Sequence, residues 1–154
     1  MDEAFKAEYK VLANVFGKFT NDTCRFIVYD HYGVPAFSKY KHVLLFLSYY
    51  DGKLYHEKYQ YFDVYKTKNG RWASCGDPYR FDKAHPGEVA AVKLKFDKPV
   101  AFDLAGIKQE QAQRFFPEQF YEIQGGKAYC RKGAYAEQLF EIKRDGVLKA
   151  RGTF

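Results

Sequence analysis

The chain lacks the spacings on which metal, redox and nucleotide chemistry usually rest. Its four histidines, His31, His42, His56 and His85, never form an HxH or HxxxH pair, the arrangement that brings two imidazoles to one metal. No metal site is predicted. Cys24, Cys75 and Cys130 lie roughly fifty residues apart, far outside CxxC spacing, and are odd in number. The expectation is reduced thiols in a cytoplasmic protein; one disulfide in an exported protein whose signal peptide was trimmed is the alternative. Gly125-Gly126 and Gly133 complete neither GxGxxG nor a Walker loop, and no helix is read after them. ATP and dinucleotides are thereby disfavoured, and no cofactor is assigned. Long apolar runs are missing as well. The N-terminal stretch MDEAFKAEYKVLANVF sets acids ahead of its apolar residues and has no basic n-region, so it reads as neither signal peptide nor membrane span. No membrane partner is expected.

What the chain has in abundance is aromatic: 14 Tyr and 15 Phe beside one Trp and one Met. That choice suits pleated, half-buried surfaces and argues against a disordered or coiled-coil chain. A length of 154 residues suffices for one core without staples, so residues 1–154 are read as a single domain. The net charge of +6 is uneven, with seven Lys/Arg against three Asp/Glu from Lys127 to Phe154. A basic C-terminal surface able to face anions is implied.

Along the chain, Phe5, Tyr9, Leu12, Val15 and Phe16 fall at helical spacing before Gly17, which predicts an amphipathic N-terminal helix. TCRFIVY at Thr23–Tyr29 reads as a strand. The run His42–Tyr50 is apolar on both parities, the pattern of a central strand covered on both faces. Asp51-Gly52 and Asn69-Gly70 are hairpin turns, so the tyrosine-loaded segment Lys41–Cys75 is read as a double hairpin in an antiparallel meander. Its register is open. A two-residue loop at Asp51-Gly52 places Tyr55 and Tyr59 with Leu44 and Phe46, whereas a three-residue loop places them with Val43, Leu45 and Leu47. Alternation at Val92, Leu94, Phe96 and again at Val100, Phe102, Leu104 predicts half-exposed strands, and IKQEQAQRFF before Pro117 predicts a short helix over 107–116. Two further hairpins are read at Gly125-Gly126 and Arg144-Asp145-Gly146. The expected fold is α+β: an extended, curved antiparallel sheet of about nine strands, with a half-barrel as its more strongly curved alternative, and these two helices.

Function is sought in the same segments. Tyrosine and arginine carry interface energy, so Tyr55, Tyr59, Tyr61, Tyr65 and Trp72 are taken as a contact face, and a non-catalytic protein that binds a protein partner, of inhibitor or immunity type, is the leading reading. Lys127, Tyr129 and Arg131 share one parity, two cations about a ring, and nucleic acid bound through the basic C-terminal hairpins is the alternative. A third reading is a small-molecule pocket or an enzyme lined by the tyrosines. Its local candidates are Cys75 and Asp77, with His85 as a base ten residues on from the thiol. Glu57 and Asp63, six residues apart on an extended strand, would be roughly 20 Å apart at about 3.3 Å per residue, too far for a glycosidase pair.

Overall fold

Phe5, Ala7 and Tyr9 alternate inward while Lys6, Glu8 and Lys10 face solvent, and that period of two decides the first element. The computed structural model describes all 154 residues, and they fall into two compact units, Met1–Asp63 and Val64–Phe154. In place of the expected N-terminal helix stands strand β1, Glu3–Lys10. Phe5 and Tyr9, four apart, satisfy both periods, and pairing with β2, Thr23–Asp30, settles the choice. Leu12 and Phe16, which would have completed a helical stripe, are exposed.

The first unit is one four-stranded sheet, in the order β1-β2-β4-β3, with β3 at Val43–Tyr50 and β4 at Lys53–Asp63. Strand β3 is therefore an edge, not the central strand read from its apolar run. The sheet is also mixed, since β2 and β4 meet in parallel at Ile27 and Tyr55. The turn is the two-residue form: Tyr50 pairs with Lys53, and Asp51 and Gly52 both take positive φ, 49° and 76°, as a type I′ turn requires. Past His56 the ladder breaks. Leu47 faces His56, but Leu45 faces Tyr61, so Glu57–Gln60 bulge out opposite Phe46. The bulge is closed by a 2.8 Å bond between His56 Nε2 and the Gln60 carbonyl, and Tyr59 sits at φ 66°. An odd excess of residues flips the parity of everything beyond it. One core lies on the face of Phe26, Val28 and Cys24, with Phe37 from a short 3-10 turn at Ala36–Lys39 and with Leu45, Leu47, Leu54 and Tyr61.

The second unit is built from shorter pieces. One sheet runs β5-β6-β11-β7, from Tyr65–Lys66, Trp72–Cys75, Lys132–Tyr135 and Val92–Lys93; another runs β8-β10-β9, from Ala101–Asp103, Lys127–Cys130 and Tyr121–Gln124. The expected single nine-stranded curved sheet is thus replaced by three small sheets, with no closed barrel. Strands of two to four residues are too short to carry one continuous ladder. The Asn69-Gly70 and Gly125-Gly126 hairpins do form, as does helix α1 at Gln109–Phe115. The hairpin expected at Arg144-Asp145-Gly146 does not. Helix α2, Ala136–Lys143, occupies that region, burying Ala136, Leu139, Ile142 and Lys143, and continues through an irregular helical turn, Arg144–Leu148. Gly146 is needed there for close packing rather than for a turn: a Cβ would lie 3.1 Å from Asp82 Oδ1 and 3.2 Å from His85 Cβ. The sheets close on a core of Ala73, Leu94, Phe96, Val100, Phe120, Tyr121 and Ala128, pinned by a Cys75–Cys130 disulfide. The expectation of three reduced thiols fails for these two; only Cys24 is free, and it is buried.

Candidate functional site

The first unit displays its tyrosines at the Asp51-Gly52 end of the sheet and around the bulge. Residues paired across a ladder share a face. Tyr55, opposite both Ser48 and Ile27, is therefore on the same face as Tyr50 and Tyr29. Tyr29 stacks on Tyr55 with ring centres 6.4 Å apart and planes 6° from parallel, and Tyr50 meets Tyr55 edge-on at 6.5 Å. This arrangement of rings on three adjacent strands is pre-organised, because a pleated backbone holds each Cβ. Tyr50 is 74% exposed and Tyr29 44%, so the rings are not core. On the other side of the Tyr29 strand end, Tyr32 packs on Tyr59 at 6.0 Å and on His31 at 5.2 Å. Lys58 caps Tyr59 at 5.0 Å from the ring centre. A hydrogen bond from Lys58 to Asp2 ties the bulge to the N-terminus, lowering the pKa of Asp2 and raising that of Lys58.

Of the tyrosines singled out in the sequence, Tyr55 faces outward with Tyr29 and Tyr50, and Tyr59 faces outward with Tyr32 on the other side. Tyr61 does not, since the bulge turns it into the core beside Phe37. Tyr65 and Trp72 lie in the second unit, where Tyr65 packs edge-on against Phe96 and Phe102. The double hairpin is thus divided at Val64 between the two units. Tyr29, Tyr32 and Tyr50 were missed. The adjacent pair Tyr49-Tyr50 and the YDHY run at Tyr29–Tyr32 were the available signals, but both border turns and neither lies on the strand that drew attention.

Lys127, Tyr129 and Arg131 lie on or just after β10. Arg131 gives both Nε and Nη2 to Glu122 Oε2, at 2.9 and 2.7 Å, and stands 5.6 Å from the Tyr129 ring. Lys127 pairs in register with Asp103. Carboxylates therefore sit beside two of the cations that would meet phosphates. The second basic hairpin on which the nucleic-acid alternative leaned is the helix described above.

Cys75 has its sulfur in the bond to Cys130, which removes the thiolate a nucleophile needs. Asp77 accepts the Tyr79 backbone N–H at 2.9 Å, a turn contact. His85 is directed to Asp82, with Nδ1 3.7 Å from Oδ1. Asp82 also accepts a 2.6 Å bond from Lys143 Nζ, and both side chains of that ion pair are almost wholly buried. Burial pushes the Lys143 pKa down despite the Asp82 charge beside it. No group of three or more His, Cys, Asp or Glu side chains is arranged to hold a metal. No helix is long and apolar enough to cross a membrane.

No family model, no curated protein and no solved structure matches the chain.

Proposed function

We propose that the chain is a binding protein and that the Tyr29–Tyr55–Tyr50 surface of the first unit holds a protein partner. One observation carries the reading: on three adjacent strands the exposed rings of Tyr29 and Tyr50 both pack on the half-buried Tyr55, in a unit with as many acidic as basic residues. Tyrosines fixed by a sheet lose little conformational entropy on binding, and such anchors commonly supply about 2 kcal/mol or more each. The Cys75–Cys130 bond supports an oxidising compartment, the second of the two placements read from the sequence.

A photo-crosslinking amino acid placed at Tyr50 tests the reading, with one at Lys18 as control. In an extract of the native host, the Tyr50 probe should capture one discrete protein, which Tyr29→Ala and Tyr55→Ala together release. Equal capture at Lys18, or capture that survives the two substitutions, would refute it.

A further inference from the structure

We propose that a basic groove within Val64–Phe154 binds a small organic anion carrying two or more phosphate groups. This inference is independent of the tyrosine surface. The groove has a volume of about 450 Å³, within the range of small-molecule sites. Five cations line it, Lys68, Lys93, Lys95, Arg131 and Lys132, and no carboxylate does. Arg131 is paired to Glu122. The four lysines make no ion pair.

Their placement is costly in the absence of an anion. Lys93 on β7 and Lys132 on β11 are direct partners across the antiparallel ladder, where like charges destabilise. The backbone keeps them close: the Leu94 N–H donates to the Arg131 carbonyl at 2.9 Å and the Lys68 N–H to the Lys95 carbonyl at 2.9 Å. Gly133 locks the same seam, because a Cβ there would stand 2.0 Å from the Ser74 carbonyl oxygen. Two phosphate groups, each with a charge of about −1.5 to −2, would nearly neutralise four ammonium groups.

The rest of the groove selects among phosphate carriers. Its floor is exposed Pro99 over the buried Leu94, Phe96 and Val100, so the body of an organic ligand would rest on Pro99 and on the apolar stems of the lysines. Phe96 is buried in the core and Tyr129 does not line the groove. Successive bases of a single strand would therefore find no rings on which to stack. A compact ligand fits better than a strand.

The test is calorimetric titration at low ionic strength with ADP, inorganic pyrophosphate, adenosine and a twelve-nucleotide oligo(dT). ADP and pyrophosphate should bind and adenosine should not, with affinity falling as salt is raised. Lys93→Glu should weaken ADP at least about tenfold, equivalent to about 1.4 kcal/mol. The same substitution should raise the melting temperature of the ligand-free protein, because an acid opposite Lys132 replaces repulsion with attraction. Lys68→Glu, in the exposed turn, should weaken ADP without lowering that temperature. Three results would overturn the proposal: no binding of ADP or pyrophosphate, tighter binding of oligo(dT) than of ADP, or a lower melting temperature for Lys93→Glu, which would make these lysines structural.

Discussion

Met1–Asp63 holds eight Lys/Arg against eight Asp/Glu, whereas Val64–Phe154 holds seventeen against eleven, so the whole net charge of +6 belongs to the second unit. The units also reach stability differently. Strands of eight to eleven residues let the first close a sheet over an aromatic core with no covalent link. Strands of two to four residues give the second far shorter ladders, and it adds a disulfide and a buried ion pair. Long strands close the first unit's sheet without a staple, while the short strands of the second are joined to a covalent bond and an ion pair in its interior.

The largest expected break in this contrast comes from the disulfide. Cys75→Ala with Cys130→Ala should cost about 4 kcal/mol, the loop-closure value for a 55-residue separation. Trp72 is the only tryptophan and lies in the second unit, so its fluorescence should report the loss in denaturant, while thiol titration of the unfolded native chain should count one cysteine. An equal loss in the tyrosine circular dichroism of the first unit would mean that the two units unfold as one.

Next is the buried pair. Asp82→Asn should cost roughly 3 kcal/mol or more by removing the buried carboxylate beside the Lys143 ammonium, whereas Asp82→Leu with Lys143→Met should recover most of it. If the double variant is as unstable as the single, the ion pair is not the cause.

Alkaline pH should then separate the units by sign. Burial lowers the Lys143 pKa from 10.5, so the folded second unit releases that proton before the unfolded chain does. Its contribution is present above 10.5 and lost as pH falls through the folded value. Burial raises Tyr9 from 10.0 and Cys24 from 9.0. Their contribution to the first unit is complete below those values and lost as pH rises through the folded ones. Between about pH 9 and 10.5 the two units should therefore show opposite slopes, flattened by Lys143→Met in one and by Tyr9→Phe with Cys24→Ala in the other. Slopes of the same sign would discard this account.

The smallest effect sharpens the functional side. Tyr50→Ala should change stability by no more than about 0.5 kcal/mol, as expected of an exposed side chain, yet abolish most partner capture by a probe moved to Tyr29. A large stability loss would return Tyr50 to the core.

The hairpins at Asp51-Gly52, Asn69-Gly70 and Gly125-Gly126 were legible because a positive-φ turn is a local requirement that a few residues meet or fail. Helix α1 was legible for the same kind of reason, being bounded by Pro117. The N-terminal strand was not, since Phe5 and Tyr9 suit either period until β2 supplies hydrogen bonds. The Arg144-Asp145-Gly146 turn was misread because its glycine answers to Asp82 and His85, more than sixty residues earlier. Of the proposed surface, Tyr55 was singled out from strand pattern, but the Glu57–Gln60 bulge that turns Tyr61 to the other face has no sequence mark.

By itself the sequence determined the α+β class, the aromatic surplus and the positions of the tight turns, all of which follow from local conformational preference and composition. Only the tertiary structure decided that the strands form three sheets, that Cys75 meets Cys130, that Lys93 opposes Lys132, and which tyrosines face solvent. These are pairings between distant segments, and a register that one bulge reverses is settled by the partner strand rather than by the residues within it.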